Sequence, residues 1–143
     1  AALTFAAWWL QARVSEQNVS LEIVSAGLDT TPGKEAYPLA TITSRDYGID
    51  LERHRTTSVS AELVKRADVI LVMELVHMRQ LRSRFPDAGQ KTFLLGHFAQ
   101  KQPVTDIQDP YGGTPEEFTR CYSFLSTACE GFLSHLKEVG MRV

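Results

Sequence analysis

"RADVILVME", residues 66 to 74, decides the fold class. Five apolar residues, Val69 to Met73, stand in succession between Asp68 and Glu74. The run is too short for a buried helix and is rich in β-branched residues, so it reads as a strand over 68–73. It lacks the in/out alternation of a half-exposed strand and therefore needs cover on both faces, as strands of parallel sheets do. Working outward, "SLEIVS" at 20–25 and "KTFLL" at 91–95 are two further β-rich runs. Helical patterns separate them, over 38–47, over 61–67 behind the N-cap Ser60, over 75–85 and over 115–138. In the last of these Phe118, Tyr122, Leu125, Cys129, Phe132 and Leu136 form one stripe at three- and four-residue steps, a face made to pack on a sheet. Strands joined through helical crossovers form a parallel sheet flanked by helices on both faces, an α/β fold whose ligands gather at the carboxyl ends of the strands. The loops after Ser25, Met73 and Leu95, and the loop that holds Asp109, share that rim. The opening stretch "AALTFAAWWLQA" is rich in helix formers but has no N-cap and no strand before it, so the expectation is an α/β unit whose first strand is missing.

The 143 residues suit a single domain, 1–143, with enough apolar content, 43%, to build a core without staples. A formal net charge of −2 argues against a nucleic-acid partner. Cys121 and Cys129, eight apart in a helical pattern, make neither a CxxC pair nor a zinc site, and fit a reducing, cytoplasmic location. The longest apolar run, "FAAWWL" at 5–10, is far short of the ~20 residues of a membrane span, so no membrane insertion is expected.

One carboxylate is held with unusual care. In "TDIQDPYGGTPEEF", residues 105–118, Pro110 presses Asp109 into extended geometry, and Gly112 and Gly113 permit a tight turn. Thr114, Pro115 and Glu117 then spell a helix start with a capping box. Such a carboxylate suits a general acid, a cation ligand or a simple Asp-Pro turn.

"VSAG" at 24–27, "GIDLERHR" at 48–55, "RADVILVME" at 66–74 and "DPYGG" at 109–113 resemble the low-molecular-weight protein tyrosine phosphatases in order and spacing. "GKEAYPLA" at 33–40 and "LLGHF" at 94–98 resemble above all the bacterial members that act beside exopolysaccharide and capsule tyrosine kinases. The resemblance implies a flavodoxin-like fold and hydrolysis of a phosphomonoester through a phosphocysteine, with no metal and no cofactor. It makes Asp109 the general acid and base, Tyr111 a residue that either stacks on a substrate ring or packs over the loop, and His54 and Ser25 supports of the phosphate loop. Glu74 stands at the rim where the family has an acidic residue, though the acidic start of the next helix explains it as well. The implied partner is a phosphotyrosine protein, such as a capsule or exopolysaccharide tyrosine kinase.

That family carries its nucleophile in a Cys-x5-Arg loop after the first strand, and this sequence has none: six residues beyond Cys121 and Cys129 stand Thr127 and His135. The expectation is a chain that starts just after the loop and is inactive as it stands. A non-catalytic phosphatase-like binding module and a protein arginine phosphatase on the same scaffold are the alternatives. The family usually has arginine where Thr57 stands and Asp-Pro where this sequence has Tyr37-Pro38; by the resemblance those positions flank the substrate mouth, so it implies the chemistry more firmly than the specificity.

Overall fold

The computed structural model describes residues 2–16, 21–28 and 33–139. Five α-helices are described: α1 (Ala2–Glu16), α2 (Pro38–Arg45), α3 (Ala61–Arg66), α4 (Leu75–Arg84) and α5 (Pro115–Glu138). Two strands, β1 (Ile70–Val72) and β2 (Thr92–Leu94), pair in parallel with Ile70 opposite Thr92 and Val72 opposite Leu94. Short 3₁₀ turns at Pro86–Lys91 and Leu95–Phe98 bracket β2.

The covering of both sheet faces can be read along β1. Val69, Leu71 and Met73 face the main core, built with α1 and α5, whereas Ile70 and Val72 face a smaller cluster with Val64 of α3 and Met78 and Leu81 of α4. The period of two thus sends alternate side chains into different cores, which is why the run is apolar throughout. Lys91 closes the carboxyl end of α3: its Nζ donates to the carbonyls of Val64 and Ala67, each at 2.6 Å. A cation there satisfies carbonyls that the helix leaves without partners.

The predicted stripe of α5 is buried along its whole length. It packs against α1, α2 and the Leu95–Phe98 turn, with Leu71 and Met73 of the sheet in the same core. Phe5 of α1 is fully buried and stacks on Tyr122 of α5, ring centroids 4.0 Å apart. Burying a ring of that size is worth about 1.5–3 kcal/mol.

The strand expected over 20–25 is not one. Ser20 lies outside the described residues, and 21–26 is extended chain without a ladder partner among the described residues. Its burial still alternates, with Leu21, Ile23 and Ser25 half-buried and Glu22 and Val24 exposed. The backbone has the geometry of a strand, but a strand is completed by the hydrogen bonds of a neighbour, and across from it lies an open cleft. Among the described residues, Gly27 forms an isolated parallel bridge with Ser58.

Candidate active site

The turn after Asp109 forms as its residues dictate. The Gly113 N–H donates to the Pro110 carbonyl at 2.7 Å, and Gly112 has φ +80°, the position of a type II turn that demands a positive φ. Asp109 Oδ1 accepts from the Tyr111 N–H at 3.0 Å, so the carboxylate is oriented by its own turn. Thr114 caps α5, its hydroxyl accepting from the Glu117 N–H at 3.2 Å. Upstream, the Ile107 N–H donates to the Met73 carbonyl at 2.8 Å, and Asp106 Oδ1 accepts from the Leu75 N–H at 2.8 Å. The loop is thereby sewn to the carboxyl end of β1 and to the start of α4. Glu74 is the N-cap residue of α4 but makes no side-chain cap bond; Asp106, 31 residues away from Leu75, caps that end instead.

A cleft of about 800 Å³ lies between the extended stretch 21–28 and β1. Ile23 and Ser25 line one wall and Ile70 and Val72 the other, with Glu74 and Asp109 also on its surface. Ser25 and Asp109 both border this cleft, which also runs past the core residues Leu10, Phe132 and Leu136. His54 and Tyr111 do not line it.

His54 is 6% exposed, and the Trp8 Nε1–H donates to its Nδ1 at 3.1 Å. That bond requires an unprotonated Nδ1, so the neutral ring carries its proton on Nε2. Burial above all, with nearby positive charge adding, lowers the pKa of His54 from its ordinary 6.5 and favours the neutral form. Its segment is joined to that of Ser25 through Gly27, whose N–H donates to the Thr57 carbonyl at 2.8 Å and whose carbonyl accepts from the Val59 N–H at 2.9 Å. Sequence reading missed Trp8 and Asp106, because both partnerships connect residues far apart in the chain and leave no local pattern.

Neither thiol is suited to attack. Cys121 is half-buried with Sγ 3.7 Å from the Gln108 carbonyl; burial, and then the charge of Asp109, push its pKa up to about 12. Cys129 is fully buried in the α5 stripe, and burial pushes its thiol up as well. Both are protonated thiols at neutral pH, and the thiolate is the nucleophile.

At the outer side of the turn Tyr111 is 69% exposed. Its ring leans on Tyr37 with centroids 4.7 Å apart, and Tyr37 in turn lies parallel to Phe118 at 6.0 Å and 11°.

Among the described residues, no helix is long and apolar enough to cross a membrane. A family profile described as low molecular weight phosphotyrosine protein phosphatase matches residues 5–141. The chain is 28% identical over 130 residues to the probable low molecular weight protein-tyrosine-phosphatase EpsP of Ralstonia nicotianae, covering 91% of this chain and 87% of that protein. The crystal structure of the Erwinia amylovora tyrosine phosphatase AmsI superposes with a TM-score of 0.85 at 28% identity, over 94% of this chain and 85% of that one. The YwlE arginine phosphatase of Geobacillus stearothermophilus superposes with a TM-score of 0.86 at 29% identity, over 97% of this chain and 87% of that one. From the α/β core to the Asp-Pro turn at the sheet's carboxyl end, these residues make the chain a member of the low molecular weight phosphotyrosine protein phosphatase family.

Proposed function

We propose that the protein dephosphorylates phosphotyrosine through a phosphocysteine, with Asp109 as the general acid that protonates the departing phenolate and then as the base that activates water. Phenolate leaves poorly at neutral pH, so a placed proton donor lowers the barrier of the first step, and the same group regains its proton in the second. The observation that carries the reading is the place of Asp109: fixed by its own turn, tied through Ile107 and Asp106 to the end of β1, and facing the cleft. Ser25 and His54 support the phosphate loop from the joined segments 25–28 and 54–59. The nucleophile and the cradle for three phosphoryl oxygens belong to a Cys-x5-Arg loop that the 143 residues do not contain. The substrate is a phosphotyrosine protein in the cytoplasm, in our reading a tyrosine kinase of polysaccharide export.

Two constructions test this. The 143-residue chain should leave p-nitrophenyl phosphate intact, and the same chain preceded by a strand and a Cys-x5-Arg loop should hydrolyse it. In the extended chain Asp109→Ala should lower kcat on aryl phosphates by roughly 10² to 10⁴, most steeply for poor leaving groups. A loss independent of leaving-group pKa would remove Asp109 from the role of acid. No turnover by the extended chain would favour a binding module. The likeness to the Geobacillus arginine phosphatase motivates a second reading, dephosphorylation of phosphoarginine, which parallel assays on phosphotyrosine and phosphoarginine peptides separate.

A further inference from the structure

The N-cap of α2 is occupied by a residue that cannot cap. Helix starts favour Ser, Thr, Asp or Asn, whose side chains accept from the exposed amides, yet Tyr37 stands there and makes no side-chain cap bond. Its backbone does serve the helix: φ −58° and ψ 134° bring in Pro38 at the first turn, and its carbonyl accepts from the Thr41 N–H at 3.1 Å. The ring is engaged elsewhere. It stacks on fully buried Phe118 in the first turn of α5 and, tilted by 60°, supports Tyr111 at 4.7 Å. One side chain therefore joins the start of α2, the start of α5 and the turn that carries Asp109.

The Tyr111 N–H is the group that holds Asp109 Oδ1, at 3.0 Å. Whatever fixes Tyr111 fixes the carboxylate with it. We propose that Tyr37 is a positioning residue: its ring holds Tyr111 and, through the Tyr111 N–H, the direction of Asp109. The part that concerns catalysis rests on the reading of Asp109 as the acid; the part that concerns the turn does not.

The test uses two variants. Tyr37→Asp removes the ring but supplies a good cap, so the fold is retained while the tether is lost; Tyr37→Phe keeps the ring. In the 143-residue chain, amide hydrogen exchange at Tyr111 and Gly113 should accelerate by about tenfold in Tyr37→Asp and stay near wild type in Tyr37→Phe, because exchange reports local opening of the turn. Equal protection in Tyr37→Asp and wild type would overturn the tether. In the chain carrying its phosphate loop, Tyr37→Asp should lower kcat on aryl phosphates by about fivefold, more for poor leaving groups than for good ones, and Tyr37→Phe should not, because a misdirected acid is felt most where the leaving group needs its proton. A loss independent of leaving-group pKa, or one shared by Tyr37→Phe, would overturn the positioning of the acid, while the exchange data decide the tether alone.

Discussion

Gly131 offers the sharpest test of how the main core is assembled. It lies inside α5, where replacing glycine by alanine ordinarily stabilises a helix by about 1 kcal/mol. Here the sign should reverse. The helix passes so close to the Leu95–Phe98 turn that an added Cβ would collide with the Phe98 carbonyl oxygen, and would lie 2.8 Å from its carbon. Both are backbone atoms, so no side chain can rotate away. To bring that carbon out to the ~3.5–4.0 Å at which carbon atoms settle, α5 must withdraw by about 1 Å. The withdrawal opens the edge-on contact of Phe98 with Phe132, centroids 5.2 Å apart, worth about 0.5–1.5 kcal/mol. Overpacking in a filled core costs about 1–3 kcal/mol in general. Set against the propensity gain, the net loss is about 2 kcal/mol. For a domain of this length that lowers Tm by about 4–8 °C. Urea and thermal unfolding of Gly131→Ala, with exposed Ser134→Ala on the same helix as the control, measure it. Melting of Gly131→Ala at or above wild type would refute the close approach of α5 to the turn.

Cys129→Ala should lower stability by about 1–2 kcal/mol, as removal of a small buried side chain does, and leave catalysis in the extended chain intact; lost turnover with unchanged melting would place the thiol at the site. His54 predicts a pH dependence whose sign follows from its depressed pKa. Between the folded value and 6.5 the unfolded chain binds the extra proton, so the His54 contribution to stability is full above about pH 6.5 and is lost as pH falls through the folded value. Melting curves against pH should show that loss in wild type and a flatter profile in His54→Gln; identical profiles would show that His54 is not buried in its neutral form.

Much of the fold was legible because its signals are local. The apolar run ending at Met73 became β1, and the helix that begins behind Thr114 and Pro115 runs from Pro115 to Glu138 as its caps and stripe foretold. The turn at Asp109 was readable for the same reason, since Pro110, Gly112 and Thr114 each restrict their own backbone. What escaped were contacts whose partners lie far apart in the chain. Nothing near Asp106 announces that it caps α4, nothing near Trp8 announces His54, and Tyr37 reads as a poor cap until Tyr111 and Phe118 are seen beside it. The misjudged strand at 20–25 shows the converse. Its residues have the alternation of a strand, but pairing is a property of two segments, and no local pattern supplies the second.

That unpaired stretch also bears on the extended chain of the proposed function. The cleft separates residues 21–26 from the edge of β1 that β2 does not occupy. A strand added ahead of the 143 residues would meet backbone hydrogen-bonding groups on either side there. Amide exchange within 21–26 should therefore slow when the chain is extended, a sign of strand docking that needs no turnover to read.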